Sequence, residues 1–515
     1  MNLRRASGIL CHPTCLPGPS GIGDLGRGCD LFLDFLARAG QTIWQVLPLV
    51  PTGYGDSPYQ PFSVFAGNPL LIDLQQLADW GLLRPAQVQP EKPFPEDHVD
   101  YGAVIAFKDR ALRAAFGEFS RSPGSLGDEL DAFSRENAAW LEDYALFMAL
   151  KRHFQWAPWT AWERGIARRD PAALATWRER LAGEIAYQRF IQFLFEKQWQ
   201  RVRQAAQRRG IRIMGDMPIF VGHDSADVWS NQGLFELDEA GMPLAVAGVP
   251  PDYFSPTGQL WGNPLYRWEV MRQDGYAWWI ARLRRALTQA DMVRIDHFRG
   301  FAAYWRVPAG EETAIHGEWV PGPGADFFRA VREALGSLPI IAEDLGLITE
   351  DVIALRKAFN LPGMRVLQFA FDSDATNEHL PHNHTPDCLV YTGTHDNDTT
   401  LGWYHTRDPL VQHKVRLYTG SDGKDIHWHL IRLAMTSVAD LAIIPLQDVL
   451  GLGSEARFNT PGRPYGNWAW RFRAEALEGA LADALKDLAL VSGRWWPPEP
   501  EGKSTSPSLD HPNLE

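Results

Sequence analysis

Eight short apolar runs recur along the chain, each ending in polar, Gly or Pro residues. They are Ser7–Leu10, Ile43–Leu49, Ile211–Met217, Met292–His297, Pro339–Glu343, Met364–Phe371, Cys388–Thr394 and Ala442–Leu446. Several are almost continuously hydrophobic, which suits parallel strands buried on both faces. Helical patterns such as Ala325–Leu335 and Ile426–Ala439 lie between most of them. Strands alternating with helices predict an α/β chain, and eight of them predict a (β/α)8 TIM barrel. A doubly wound sheet is the alternative, and the motifs below favour the barrel.

Two gaps between runs are too long for simple loops. The first holds the Ala-, Leu-, Glu- and Arg-rich stretches Ala103–Phe116, Leu126–Lys151 and Ala172–Arg208. The second is rich in Gly, Pro and aromatics. The expected organisation is one discontinuous catalytic barrel over residues 1–500, with a mainly helical insertion at 74–208 and an irregular insertion at 219–290. Both insertions follow strand ends and so belong on the C-terminal face, where barrel sites form. The Pro/Ser/Glu-rich tail, 497–515, lacks periodicity and is expected to be disordered.

Composition narrows the function. A net charge of −13 disfavours nucleic acid and anionic lipid, and is compatible with a neutral small substrate. The 21 Trp exceed what a core ordinarily uses and suit flat surfaces that stack on ligand rings. Four cysteines, Cys11, Cys15, Cys29 and Cys388, are too few for a disulfide framework, and their spacing does not suit zinc. Reduced thiols, no apolar leader after Met1 and no long apolar stretch lead to the expectation of a cytoplasmic protein without a membrane span.

Carboxylates mark the strand ends. The third run ends in Gly215-Asp216-Met217-Pro218, and the fourth contains Arg294-Ile295-Asp296-His297. The fifth ends in Ala342-Glu343-Asp344, and the seventh in Thr394-His395-Asp396-Asn397. Barrel geometry brings these ends to one mouth, and gathering like charges there is costly unless catalysis uses them. Paired carboxylates suit glycosidic-bond chemistry, which needs one ionised nucleophile and one protonated acid. Strand alternation puts Arg294 and Asp296 on one face, so the guanidinium is expected to hold Asp296 ionised. Glu343 follows a strongly apolar strand, where desolvation raises a carboxyl toward an acid/base role.

Taken with further blocks, these residues resemble glycoside hydrolase family 77, the 4-α-glucanotransferase or amylomaltase family of the α-amylase clan. The blocks include Ser7–Leu10, Ser20–Gly26, Trp44–Leu49, Ser57-Pro58-Tyr59-Gln60, Gly215–Val221, Gly248–Ser255, Arg294–Gly300, Ala342–Gly346, Thr394–Asn397 and Asn467-Trp468. The resemblance covers about residues 6–475. It implies Asp296 as nucleophile, Glu343 as acid/base and Asp396 as the third carboxylate. It further implies substrate binding by Tyr59, Asp216, Arg294, His395, Ser57 and Asn467. Gln259-Leu260-Trp261-Gly262-Asn263-Pro264 resembles the family's flexible loop beside the acceptor site, with Gln259 and Trp261 as contacts. The implied reaction is disproportionation of α-1,4-glucan oligosaccharides (maltodextrin, starch or glycogen fragments), with net retention and neither cofactor nor metal. From the residues alone, an amylase-like hydrolase and a non-catalytic glucan binder remain open, although a binder has no need for all three carboxylates.

Overall fold

The computed structural model describes residues 5–251, 255–463 and 465–496. The tail, 497–515, and Asp252, Tyr253 and Phe254 of the Gly248–Ser255 block lie outside the described residues.

Twelve strands form two sheets among the described residues. They are β1 (Ala6–Leu10), β2 (Ile43–Gln45), β3 (Arg212–Pro218), β4 (Ala245–Val249), β5 (Gln259–Pro264) and β6 (Met292–Asp296), followed by β7 (Ala303–Pro308), β8 (Glu318–Pro321), β9 (Ile340–Ala342), β10 (Gly363–Val366), β11 (Cys388–Tyr391) and β12 (Leu441–Pro445). Eight of them run parallel in the order β10-β11-β12-β1-β2-β3-β6-β9. Across the remaining seam the Ala342 N–H donates to the Pro362 carbonyl at 2.9 Å, and Asp344 Oδ1 accepts the Met364 N–H at 2.6 Å. The sheet therefore nearly closes into the expected (β/α)8 barrel. Every residue of β1, β9, β11 and β12 is buried, which accounts for the unbroken apolar runs.

Gly21-Ile22-Gly23-Asp24-Leu25-Gly26 has the letter spacing of a dinucleotide-binding turn. It does not belong to a doubly wound sheet, because β1 lies in a nearly closed barrel and the 3-10 turn Pro13–Cys15 intervenes before the segment. Gly23 serves close packing instead: a Cβ there would meet the Pro13 carbonyl at 2.0 Å.

Helices fill the long stretch between β2 and β3: Tyr101–Arg121, Gly124–Glu136, Ala138–His153, Pro171–Arg180 and Ala182–Arg208. The stretch expected as one helix over Leu126–Lys151 breaks at Asn137, whose Nδ2 donates to the Phe133 carbonyl at 2.9 Å. Side chains such as Asn compete with the helical ladder in this way. The last helix, 27 residues and so about 40 Å long, packs Trp199 edge-on against Trp44 of β2. It also holds the polypeptide that follows β2. Gln192 exchanges hydrogen bonds with both backbone groups of Gly67 (2.7 and 2.9 Å), and Gln198 does the same with Asp73 (2.7 and 3.0 Å). Buried backbone in an irregular segment needs such partners.

The segment after β3 is more regular than its composition suggested. Its strands β4 and β5 join β7 and β8, from beyond β6, in an antiparallel sheet of order β5-β4-β7-β8. The Gln259–Pro264 block, expected as a loop, is therefore edge strand β5, with a register shift where it pairs with β4. Ten of the 21 Trp are buried, and only Trp156, Trp319 and Trp496 are exposed among the described residues. Seven more are half-buried against the core, so most of the tryptophans lie in it or pack on it. No described helix is long and apolar enough to cross a membrane.

Candidate active site

Parallel pairing of β3 with β6 sets Asp216 directly beside Arg294. The Asp216 side chain is 0% exposed, and its Oδ2 accepts from Arg294 Nε (3.0 Å), Arg294 Nη2 (2.8 Å) and the Tyr59 hydroxyl (2.9 Å). Its Oδ1 takes the Met217 N–H at 2.8 Å. Two residues along β6, Asp296 Oδ1 lies 3.0 Å from the same Arg294 Nη2. One guanidinium thus bridges a fully buried carboxylate and one that is 33% exposed at the mouth.

β9 ends beside β6, and Glu343 continues the pairing: its N–H donates to the Ile295 carbonyl at 3.0 Å. The backbone then turns sharply at His297, which is left-handed at φ +56°. That turn aims the His297 N–H at Glu343 Oε2 (2.6 Å), while Oε1 accepts the Leu345 N–H (2.8 Å). Asp344 leaves the mouth: it accepts the Met364 N–H and pairs with Arg356 at 3.1 Å across the β9–β10 seam.

Electrostatics differ from the expectation that Arg294 alone keeps Asp296 ionised. Burial outweighs the salt bridge and the repulsion of Glu343 adds to it, so the Asp296 carboxyl is pushed up to about 8. Burial raises Glu343 as well, against Arg294 and the two backbone N–H donors. Two neighbouring carboxyls of this kind titrate as a pair and retain a proton where isolated carboxyls have lost theirs.

On the loop after β11, Asp396 Oδ1 lies 3.3 Å from His395 Nε2 and accepts from Asn459 Nδ2 at 2.6 Å. Arg457 ties the two segments together, donating to the Asp396 carbonyl (2.7 Å) and the Asn459 carbonyl (2.8 Å). Tyr59 stacks on His395, 5.1 Å between centroids at 8°, and Trp468 leans on both rings. Burial lowers the His395 imidazole pKa, which favours the neutral ring.

The other expected contacts are placed less directly. Ser57 Oγ accepts the Tyr59 N–H at 3.2 Å and so shapes the turn that presents Tyr59. Asn467 bonds within its own loop, to Thr460 N (2.9 Å) and the Arg463 carbonyl (2.9 Å). Gln259 is exposed and accepts from Trp261 Nε1 at 3.2 Å. Trp261 meets His297 edge to face, 4.7 Å between centroids at 84°.

Reasoning from sequence missed His297, Arg457 and Asn459 as site residues. His297 stood inside a quoted block, directly after Asp296. Its buried Nε2 has no hydrogen-bond partner among the described residues, and burial lowers the ring to about 3, leaving a neutral imidazole. Arg457 and Asn459 sit on a loop more than sixty residues beyond Asp396, and no local pattern links them to it. Among the described residues no group of three or more His, Cys, Asp or Glu is arranged to hold a metal.

The sequence model for glycoside hydrolase family 77, described as 4-alpha-glucanotransferase, matches residues 11–477. A 4-alpha-glucanotransferase of Thermus thermophilus is 53% identical over 503 residues, covering 96% of this chain and 100% of its own. One from Synechocystis is 52% identical over 496 residues, covering 95% and 98%. The amylomaltase of Streptococcus agalactiae, solved in complex with acarbose, superposes with a TM-score of 0.93 at 38% identity, covering 96% of this chain and 100% of that one.

Proposed function

The chain belongs to glycoside hydrolase family 77 and is a 4-α-glucanotransferase; from that premise we propose that it moves 4-α-glucanosyl segments between α-1,4-glucans through a covalent glucosyl-Asp296 intermediate. The observation that carries this reading is the asymmetry of the two central carboxyls. Asp296 has the guanidinium of Arg294 at 3.0 Å, whereas Glu343 is held by two backbone N–H groups. The two carboxyls retain one proton between them. Because only Asp296 has a cation in salt-bridge contact, we assign the charge to Asp296 and the proton to Glu343; the two N–H donors, which by themselves favour an ionised Glu343, serve to orient it.

Asp296 then attacks the anomeric carbon while Glu343 protonates the leaving glycosidic oxygen. The bond to the leaving segment breaks, and a β-linked glucosyl ester forms. In the second step Glu343 takes the proton of an incoming 4-hydroxyl, whose oxygen displaces Asp296 and restores the α-1,4 linkage. Asp396 stabilises the positive charge that develops on the sugar ring. Asp216 orients Arg294 and the Tyr59 hydroxyl, and Tyr59 offers its ring to the donor sugar. Neutral His297, with Nε2 unpaired, and Trp261 beside it face the acceptor side. This chemistry asks for no cofactor or metal. A cytoplasmic setting belongs to the same reading, and the four free, buried cysteines accord with it.

Maltotriose alone tests the reaction. Glucose together with a ladder of longer oligosaccharides is expected, and glucose and maltose without longer products would mark a hydrolase instead. For the intermediate, Glu343→Gln is treated with α-maltotriosyl fluoride, a donor whose leaving group needs no proton. Intact-mass measurement should find a glycosyl adduct on Asp296, and its absence would remove the covalent step.

A further inference from the structure

Of the three exposed tryptophans, Trp319 already carries the Arg299 guanidinium 3.8 Å from its ring centroid, and Trp496 stands at the end of the described chain. Trp156 is different. It is 54% exposed, so burial does not explain its presence. Its backbone is left-handed at φ +65°, and that of Gln155 before it is left-handed at +52°. Glycine adopts this conformation freely, whereas a bulky side chain does so only under strain. Such an outlier points toward function when the surrounding structure holds it firmly.

The surroundings do hold it. Lys151, with a side chain 1% exposed, donates from Nζ to the Trp156 carbonyl (2.8 Å), the Ala157 carbonyl (3.0 Å) and Asp224 Oδ2 (2.6 Å). The Trp156 N–H returns to the Lys151 carbonyl at 2.7 Å. A buried ammonium has thus been committed to fixing an indole that faces water.

Phe62 lies beside this indole, 5.8 Å between centroids at 39°. The two rings make a shallow angled surface rather than a flat one. Phe62 stands three residues after Tyr59, at most about 11 Å away along the chain. The intervening Gln60 exchanges amide hydrogen bonds with Asn263 of β5, at 3.1 and 3.3 Å. The pair therefore continues the rim formed by the Tyr59 loop and the Trp261 strand.

We propose that Trp156 and Phe62 form a platform outside the cleft that binds the protruding part of a long α-1,4-glucan by stacking on successive pyranose faces. The proposal rests on the α-1,4-glucan substrate argued above. An uncharged, curved polymer suits two tilted aromatic faces, and aromatic stacking needs no charge on the ligand.

Trp156→Gly tests it, since glycine accepts the backbone conformation and should leave the midpoint of thermal unfolding equal or raised. Native electrophoresis through gels containing amylose is expected to show wild-type retardation, with the apparent Kd for amylose about tenfold higher in Trp156→Gly. Unchanged retention would overturn the platform. So would lost retention accompanied by a lower unfolding midpoint, which would make the indole a structural prop. Light scattering covers the remaining occupant: a wild-type dimer abolished by Trp156→Gly would assign the patch to a second copy of the chain and overturn the proposal. Wild-type transfer from maltotriose, read separately, tests the substrate reading and is independent of these outcomes.

Discussion

Arg294 touches two carboxylates, and burial makes their situations different. Asp216 is sealed beneath it with four hydrogen bonds, whereas Asp296 faces the mouth with its carboxyl pushed up to about 8. An unfolded aspartate ionises at about 4. Between those values the unfolded chain binds fewer protons than the folded one, so the linkage slope is negative and wild-type stability falls as pH rises. Asp296→Asn removes that titration. Its Glu343 also loses a like-charged neighbour and ionises more readily, which acts in the same direction. The Tm of Asp296→Asn should therefore exceed that of wild type by a margin that widens from about pH 4 to about pH 8 and then stays level. Differential scanning calorimetry across that range checks it. A margin independent of pH would mean that Asp296 is ionised throughout and that the salt bridge outweighs burial.

At the scale of elements, β5 carries the acceptor-side question. The strand pairs with β4 along one edge only, Trp261 falls within the register shift between Leu260 and Pro264, and its ring rests on His297. Gly262, at φ +76° with nothing near its missing Cβ, gives the strand a bend that other residues resist. If Trp261 stacks on the acceptor sugar, Trp261→Ala loses on the order of 1 kcal/mol of stacking, roughly fivefold in acceptor use. Donor cleavage should fall less, so the ratio of reducing ends released to glucose transferred should rise. Equal falls in both rates, with that ratio unchanged, would reduce β5 to a structural support. The same elements show what a sequence makes legible. Barrel strands declare themselves because burial on both faces leaves unbroken apolar runs such as Leu441-Ala442-Ile443-Ile444. Strand β7 reads Ala303-Tyr304-Trp305-Arg306-Val307-Pro308, mixed because it lies in a partly exposed sheet, and β5 is hidden behind Gly and Pro letters that also spell a turn. The three carboxylates proposed for the chemistry stand out in the sequence because each ends or follows its own barrel strand. Arg457 and Asn459 do not, since only the folded chain brings them to Asp396.

At the scale of the whole molecule, closing the barrel brings the two ends of the described chain together at the pole opposite the mouth. Arg494, 2% exposed, follows the last helix, Gly479–Val491, and sits among carbonyls at the starts of β1 and β12. Its Nη1 donates to the carbonyls of Ala6 (2.8 Å) and Asp440 (3.1 Å), its Nε to Met435 (2.7 Å), and its Nη2 to Ala439 (2.9 Å). Arg5 adds a second guanidinium, joining Ser492, Ala439 and Met435. Burial and the nearby Arg5 make the Arg494 charge costly, lowering its pKa to about 9, yet its removal strands several buried acceptors at once. The second effect should dominate, because each buried acceptor left unpaired costs about 1–3 kcal/mol and several are stranded together. Arg494→Ala should therefore lower the unfolding free energy read from a urea titration by at least that order, with the kcat of maltotriose transfer by the folded fraction unchanged, since Asp296 lies at the other end of the strands. Arg494→Met separates the causes: it restores volume and no donors. Stability recovered by Arg494→Met would show that packing, rather than the carbonyl hydrogen bonds, fastens the terminal helix to the barrel.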